Sequence, residues 1–427
     1  MKMKRLTTLI VSALSVALIL SACGSKGTSS SSNGGNIQLM WWGTQDRTNM
    51  TTKVIKQFEK ANKEIKVTPQ FTGWDGYWSK LSTQTGGGNI PDVIQMDKQY
   101  LRNYVKRGTL MDLSKTNIDL SVYDKSSLNT GKVDGKLYAI PTGVNALALF
   151  YDPSMLKKAG VSIDPNKPMS WDEYASLAET ITKKLPNTYG TQNFAGSIDD
   201  LELYARSKGE EFFSEDAKSL KISKSTLTDW FNYWLKLQDE GATPPAEYTA
   251  SLTDGDIEKS PIVKKDAPFG MFWSNQFGTM EQLANRKLKL ALPPGGNENK
   301  PYFLKPSMYW SIAKKTKSKK ASEKLVSYLL NSKDAVKVMG TDRGVSINSS
   351  VREAQQNNAN DTDKEVISYV NNVTKLAGSA LPVDPTSANN IIDLLTTTAQ
   401  EVLFKKVTPE KATDQFFTKA TSLLKKG

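Results

Sequence analysis

The side chains available for chemistry in this sequence are carboxylates, ammonium and guanidinium groups, amides, phenols and indoles. Its 427 residues include one cysteine and no histidine. Ser-His-Asp and Cys-His nucleophile systems need an imidazole base, so both are excluded. His-ligated zinc, haem on a histidine and a His-Arg-Asp kinase loop are excluded for the same reason. A single cysteine cannot form an internal disulfide or a Cys-x-x-Cys pair. Carboxylate, lysine or tyrosine chemistry, an oxygen-ligated metal, or binding without chemistry remain. In an open α/β sheet, ligands meet the loops after the strand ends. That rule selects Trp42, Arg47, Trp74, Asp75, Asp97, Asn145, Trp273, Asn275, Tyr309, Trp310 and Arg343. Each has a structural alternative. Trp41 and Trp42 are neighbours on a strand and point to opposite faces, so one is expected in the core. The same holds for Tyr309 and Trp310. Arg47 could pair with a nearby aspartate instead of a ligand carboxylate, and Asp97 could cap a helix.

The elements that must position these residues alternate. Ile37–Trp42 is a short apolar strand, and Met50, Val54, Phe58 and Ala61 follow at helical spacing. Ile65, Val67 and Phe71 alternate as in a strand. Trp74, Tyr77, Trp78 and Leu81 form the next helical face, stopped by Gly86-Gly87-Gly88. Val93–Met96 and the helix marked by Tyr100, Leu101, Tyr104 and Val105 continue the pattern. Strand–helix alternation implies a parallel sheet covered by helices. Leu137–Tyr151, broken by Pro141 and Gly143, reads as two strands, the second crossing between lobes. Ser170-Trp171-Asp172-Glu173 is a capping box. Leu227, Trp230, Phe231, Trp234 and Leu237 make a helical stripe expected to be core. Phe269–Trp273, Leu288–Leu292 and Tyr309–Ala313 are late strands, and the last hundred residues are mainly helical. Strand signals that return late imply two interwoven α/β lobes. The expected division is 37–145 with about 271–320 in one lobe and 146–270 with about 321–427 in the other.

The N-terminus reads as an export signal. Lys2, Lys4 and Arg5 precede the uncharged run Leu6–Leu20, which at fifteen residues is short for a membrane span. Leu20-Ser21-Ala22-Cys23-Gly24 resembles a bacterial lipobox, whose cysteine is acylated after cleavage before it. Residues 1–22 are therefore expected to be removed, with Cys23 the lipid attachment and the Ser/Gly-rich 23–36 a tether. Cleavage takes three positive charges from the net +12 and leaves +9 on 405 residues. The lysines are widely spread, the densest run being Lys314–Lys320, so nucleic acid is not an expected partner. Attraction to an anionic membrane or wall polymer accounts for the charge.

With this order established, the chain resembles the solute-binding lipoproteins of bacterial ABC sugar importers, the maltose-binding-like family 1. The resemblance spans nearly the whole mature chain. Its carriers are Met40-Trp41-Trp42-Gly43, Thr85–Val93 with Pro91-Asp92-Val93, Val105–Leu113, Tyr138-Ala139-Ile140-Pro141 through Phe150-Tyr151-Asp152, Pro168–Tyr174, Leu292-Pro293-Pro294-Gly295-Gly296 and Ser311–Leu330. It implies a two-lobed periplasmic-binding-protein fold (type II-like) with hinge strands, closing on an oligosaccharide and docking on ABC permease subunits. Trp41-Trp42-Gly43, Arg47 and Phe71–Gly76 look most like members that take complex plant or host oligosaccharides. A sugar offers hydroxyls and flat apolar faces, which amides, a few charges and indoles suit. Arg47 and Arg343 favour a neutral or acidic sugar over a polyamine. The expected protein is a monomer anchored to the outer face of the cell membrane, with no catalytic residue, cofactor or metal.

Three other functions stay open. A surface glycosidase needs two carboxylates and no histidine, and Asp75, Asp97 and Asp152 could be recruited, but no pair sits in an acid/nucleophile setting. A wall-binding protein would hold whole polymer in a salt-dependent way. A receptor for a peptide or another solute is the third. The lipid assignment predicts that Cys23→Ala releases the protein from the membrane fraction washed at high salt, where surface charge attraction is screened. Retention of the variant after that wash would remove the lipid from the account.

Overall fold

The computed structural model describes residues 35–426 apart from 124, 215, 253–256, 297 and 382–383. The expectations for the leader, for Cys23 and for most of the tether lie outside the described residues. Residues 33–427 form one compact unit that carries its own cores, so this segment has what it needs to fold alone. No helix among the described residues is long and apolar enough to cross a membrane.

Eleven strands are found among these residues. In chain order they are β1 (Gly35–Trp42), β2 (Ile65–Thr72), β3 (Val93–Met96), β4 (Lys132–Val133), β5 (Lys136–Leu137), β6 (Ile140–Pro141), β7 (Val144–Tyr151), β8 (Phe269–Trp273), β9 (Lys289–Ala291), β10 (Leu304–Pro306) and β11 (Tyr309–Ile312). The first lobe holds a sheet in the order β2-β1-β3-β11-β6. β1 is parallel to β2 and β3, while β11 runs antiparallel to β3 and β6. Successive side chains on β1 enter different cores. Ile37, Leu39 and Trp41 pack with Val54 and Phe58 of the helix Gln45–Ala61 and Leu325 of the helix Lys319–Asn331. Met40 and Trp42 pack with Tyr77, Trp78 and Leu81 of the helix Trp74–Gly86. The sheet is covered on both faces, as strand–helix alternation requires.

In the second lobe β7 is central, with β8 on one side and β9 and β10 on the other, all antiparallel to it. The capping box forms as expected: Glu173 N donates to Ser170 Oγ at 3.1 Å, and Ser170 N to Glu173 Oε2 at 2.7 Å. Leu227, Trp230, Phe231, Trp234 and Leu237 are all buried in this lobe's core.

Two segments pack differently from the expected division. β8, β9 and Tyr302-Phe303 join the second core, although 271–320 was assigned to the first lobe. The helix Lys319–Asn331 and Ala335, Met339 and Ile347 join the first core, although residues beyond 320 were assigned to the second. Their apolar faces are equally good in either lobe, and pairing with β7 or docking against β1 decides between them.

The chain crosses between lobes at Thr142-Gly143, Ser307-Met308 and the segment following Met339. The crossings are tied to one another. Thr142 N donates to Met308 O (2.9 Å), Ser307 N to Gly143 O (2.9 Å), and Val144 and Val345 exchange both backbone bonds (2.9 and 3.0 Å). Arg343 O lies 2.5 Å from Ser307 Oγ and 3.0 Å from Thr142 Oγ1. A Cβ on Gly143 would sit 2.7 Å from Val345 O and 2.9 Å from Arg343 O, so glycine is required by the closeness of the backbones. Neither carbonyl can rotate away without losing its bond. Gly143→Ala is therefore expected to cost about 1–3 kcal/mol, read as a fall in the midpoint of chemical denaturation. An unchanged midpoint would show that the crossings are loosely held.

Candidate functional site

The residues selected from the sequence gather into clusters around the C-terminal ends of β1, β3 and β8. The first is aromatic. Trp42 ends β1 and is 7% exposed. Its ring meets Trp74 and Tyr77 edge-on, with centroids 5.1 Å away in both cases. Trp78 stacks face to face on Tyr100 at 3.6 Å, and Trp74 stands edge-on to both at 5.5 and 6.2 Å. Each edge-on contact places a positive ring edge against a negative face, which fixes ring orientation. Trp74 and Tyr100 remain partly exposed, so the cluster is a braced shelf and not a closed core. Asp75, beside it on the first turn of its helix, is exposed.

The second cluster is polar and centres on Asp342. Arg47 Nε meets Asp342 Oδ2 at 2.8 Å, and Arg47 Nη2 donates to Asp342 O at 3.0 Å. Asn275 Nδ2 donates to the same carbonyl at 3.3 Å. Arg343 is buried. Its guanidinium lies over the Trp310 ring at 5.5 Å, donates to Thr51 Oγ1 at 2.8 Å and lies 3.5 Å from Asp342 Oδ2. Asp342 thus joins a first-lobe helix, the third crossing and the segment after β8.

The third cluster surrounds Lys305 on β10. Lys305 Nζ lies 3.4 Å from Asp199 Oδ2 and 4.8 Å over the Trp273 ring, whose Nε1 donates to the same carboxylate oxygen at 3.1 Å. Burial works against the Lys305 charge, but Asp199, Asp97 and Asp384 outweigh it and raise its pKa. Asp97 caps the helix Lys98–Lys106 by accepting from Gln99 N at 3.0 Å. Burial raises its pKa in spite of the pull of Lys305. Asn145 pairs in backbone register with Lys305 and is 3% exposed. Its Oδ1 has no hydrogen-bond partner in the protein, so a donor there would gain a bond that the fold leaves unmade. Lys98 bonds Asp384 Oδ1 at 2.6 Å across the two lobes.

Two expectations change. Tyr309 and Trp310 were both candidates to meet a ligand, and both are enclosed, at 0% and 1% exposure. β11 is an interior strand of a sheet covered on both faces, so Tyr309 enters one core and Trp310 the other. Arg47 and Arg343 carry internal partners, so neither stands ready for a ligand carboxylate. Sequence reasoning passed over Tyr100, Asp199, Lys305, Asp342 and Asp384. Tyr100 serves in the sequence only as a marker of a helix, and of the charged four Asp199 opens the helix Ile198–Ser207, Lys305 lies on a short strand and Asp342 and Asp384 lie in loops, with no motif to mark them.

Two α/β lobes joined by three tied crossings, with a part-open aromatic shelf where they meet, define a two-lobed solute-binding protein. Residues 53–366 match the bacterial extracellular solute-binding proteins, and the chain belongs to that family. Membership places the protein outside the cytoplasm. The chain is 31% identical to an extracellular solute-binding protein of family 1 from Alicyclobacillus acidocaldarius, with 92% of this chain and 98% of that one covered and a TM-score of 0.68. A periplasmic oligogalacturonide-binding protein of Yersinia enterocolitica, solved with saturated digalacturonic acid, shares the fold with a TM-score of 0.80 at 24% identity, over 92% of this chain and 99% of that one. The multiple sugar-binding protein of Streptococcus mutans is 22% identical over 352 residues, 76% of this chain and 78% of that protein.

The raised Asp97 pKa has a defined consequence. The folded state holds that proton more tightly than the unfolded chain does, so the charge costs stability at neutral pH and the cost fades as pH falls through the raised value. Asparagine caps a helix as well as aspartate does, while alanine forfeits about 1 kcal/mol. Asp97→Asn is therefore expected to match or exceed the parent at pH 7 in thermal unfolding, and Asp97→Ala to fall below it. Equal losses in both variants would show that the charge matters more than the cap.

Proposed function

We propose that this protein captures an oligosaccharide between its lobes and delivers it to the permease of an ABC importer. It does so as a monomer held to the outer face of the membrane by lipid on Cys23, and it catalyses nothing. The observation that carries the proposal is the braced shelf of Trp74 and Tyr100 at the end of the first-lobe sheet. Flat, part-open rings suit the apolar faces of a sugar, and the part-exposed Asp199 carboxylate beside Trp273 suits its hydroxyls. The names of relatives support the ligand class: multiple sugars in one case and galactooligosaccharides in a Bacillus subtilis relative 27% identical over 176 residues.

Charge pairing narrows the ligand. Arg47 and Arg343 are on Asp342, Lys305 is on Asp199, and Lys98 is on Asp384. A uronate would have to compete with an existing carboxylate for each of these four cations, so an uncharged oligosaccharide fits better than an acidic one. Two of the three carboxylates considered for glycosidase chemistry have other work, and the third, Asp75, stands exposed without a second acid placed beside it as a partner among the described residues. Asp152 caps the helix Pro153–Ala159 and pairs with Arg286 at 2.6 Å, and Asp97 caps the helix Lys98–Lys106. Closure about the tied crossings would present the loaded form to the permease by population shift.

A thermal-shift screen of the protein against neutral and acidic oligosaccharides tests this. A ligand at about 100 Kd should add about 2.7 kcal/mol to folding stability, and Trp74→Ala should weaken binding of the best neutral sugar about tenfold or more. Release of shorter sugars during incubation would replace the receptor with an enzyme. A shift only with uronates, lost in Arg47→Ala, would make the ligand acidic.

A further inference from the structure

We propose that the edge of the first-lobe sheet farthest from the candidate site is a docking face for an anionic lipid surface. The described chain begins at Gly35, and what precedes it is joined there. Gly35 pairs with Ile65 at the start of β2, and Asn36 O accepts from Ser318 Oγ at 3.1 Å. The start of β1 therefore lies beside the loop that leads into the helix Lys319–Asn331. That loop and the helix start carry Lys314, Lys315, Lys317, Lys319 and Lys320, all exposed, and Lys63 in the turn before β2 and Lys66 on β2 lie near Ile65.

The acidic groups here offset only part of this charge. Both oxygens of Asp92 hold the turn, accepting from Gln38 N at 2.9 Å and Thr316 Oγ1 at 2.5 Å. Glu323 is buried and 3.8 Å from Lys319, and Glu64 pairs with Lys324 at 3.1 Å. The lysine run, the densest in the sequence, becomes part of one basic edge because β1, β2 and β3 begin there and β11 ends there.

This edge is where the chain connects to its proposed lipid, and the inference rests on that attachment for its setting. Eleven residues, 24–34, lie between Cys23 and Gly35, and no chain of that length reaches farther than about 40 Å. The attraction of lysines to an anionic leaflet acts within about 10 Å, so such a link keeps the basic edge within easy reach of the headgroups. The shelf and the crossings lie at the other ends of the same strands, about 23 Å away along β1. Seated this way, the protein turns its solute site to the medium.

The test uses residues 24–427 without lipid, so it does not depend on acylation, which Cys23→Ala examines separately. The protein should co-sediment with phosphatidylglycerol-rich vesicles and not with phosphatidylcholine vesicles. Its affinity should fall about tenfold or more between about 50 mM and about 500 mM salt. Lys314→Glu, Lys315→Glu and Lys317→Glu together should weaken vesicle binding about tenfold and leave sugar affinity unchanged. The same charge change at the exposed second-lobe residues Lys157, Lys411 and Lys419 should have little effect. Equal losses in the two triple variants would overturn the face in favour of net charge alone. Binding to teichoic polymer but not to vesicles would overturn the lipid surface as its partner.

Discussion

The backbones of three separate segments meet at Thr142-Gly143, Ser307 and Arg343-Gly344, and their amides and carbonyls bond to one another. Everything else in the molecule hangs on this contact. It lets one chain build two lobes without two independent domains, because two of the crossings are each the end of one sheet and the start of another. β6 passes into β7 across Thr142-Gly143, and β10 passes into β11 across Ser307-Met308. The lack of a side chain at Gly143 lets the backbones come that close. Buried amides at such a point must be paired, and here they are paired with the other crossings and not within one lobe.

The same junction explains how the candidate site is charged. Asp342 sits one residue before Arg343, at the third crossing, and holds Arg47 of the first lobe and Asn275 of the second-lobe segment. Lys305 sits on β10 just before the second crossing and holds Asp199. Cations in a partly buried cleft are costly unless paired, so the carboxylates that keep them there also withdraw them from a ligand. The part-exposed rings of Trp74 and Tyr100 stand apart from these pairs.

Much of the fold could be read in advance. β1, β2, β3, β8 and β11 and the helices Gln45–Ala61, Trp74–Gly86 and Lys224–Asp239 follow their apolar spacing, and the capping box at Ser170 forms as its sequence pattern requires. The site was less legible. Trp42, Trp74, Asp97, Asn145, Trp273 and Asn275 do lie near the strand ends. Tyr309 and Trp310 do not face a cleft, because whether a strand has one or two covered faces is not written in its own residues. Asp342 and Lys305 gave no signal, since an ion pair between residues far apart in the chain has no periodicity.

The sequence by itself determined the chemical repertoire, the element types and their order. Those follow from composition and from contacts between near neighbours in the chain. It also marked the lysine run and the lipobox-like cysteine, since both are local patterns. Only the tertiary structure decided which lobe received β8 or the helix Lys319–Asn331, which cations were already paired, and that the lysine run lies where β1 begins. Each of these depends on residues tens to hundreds of positions apart being brought within a few ångströms, and a sequence read along its length carries no measure of that distance.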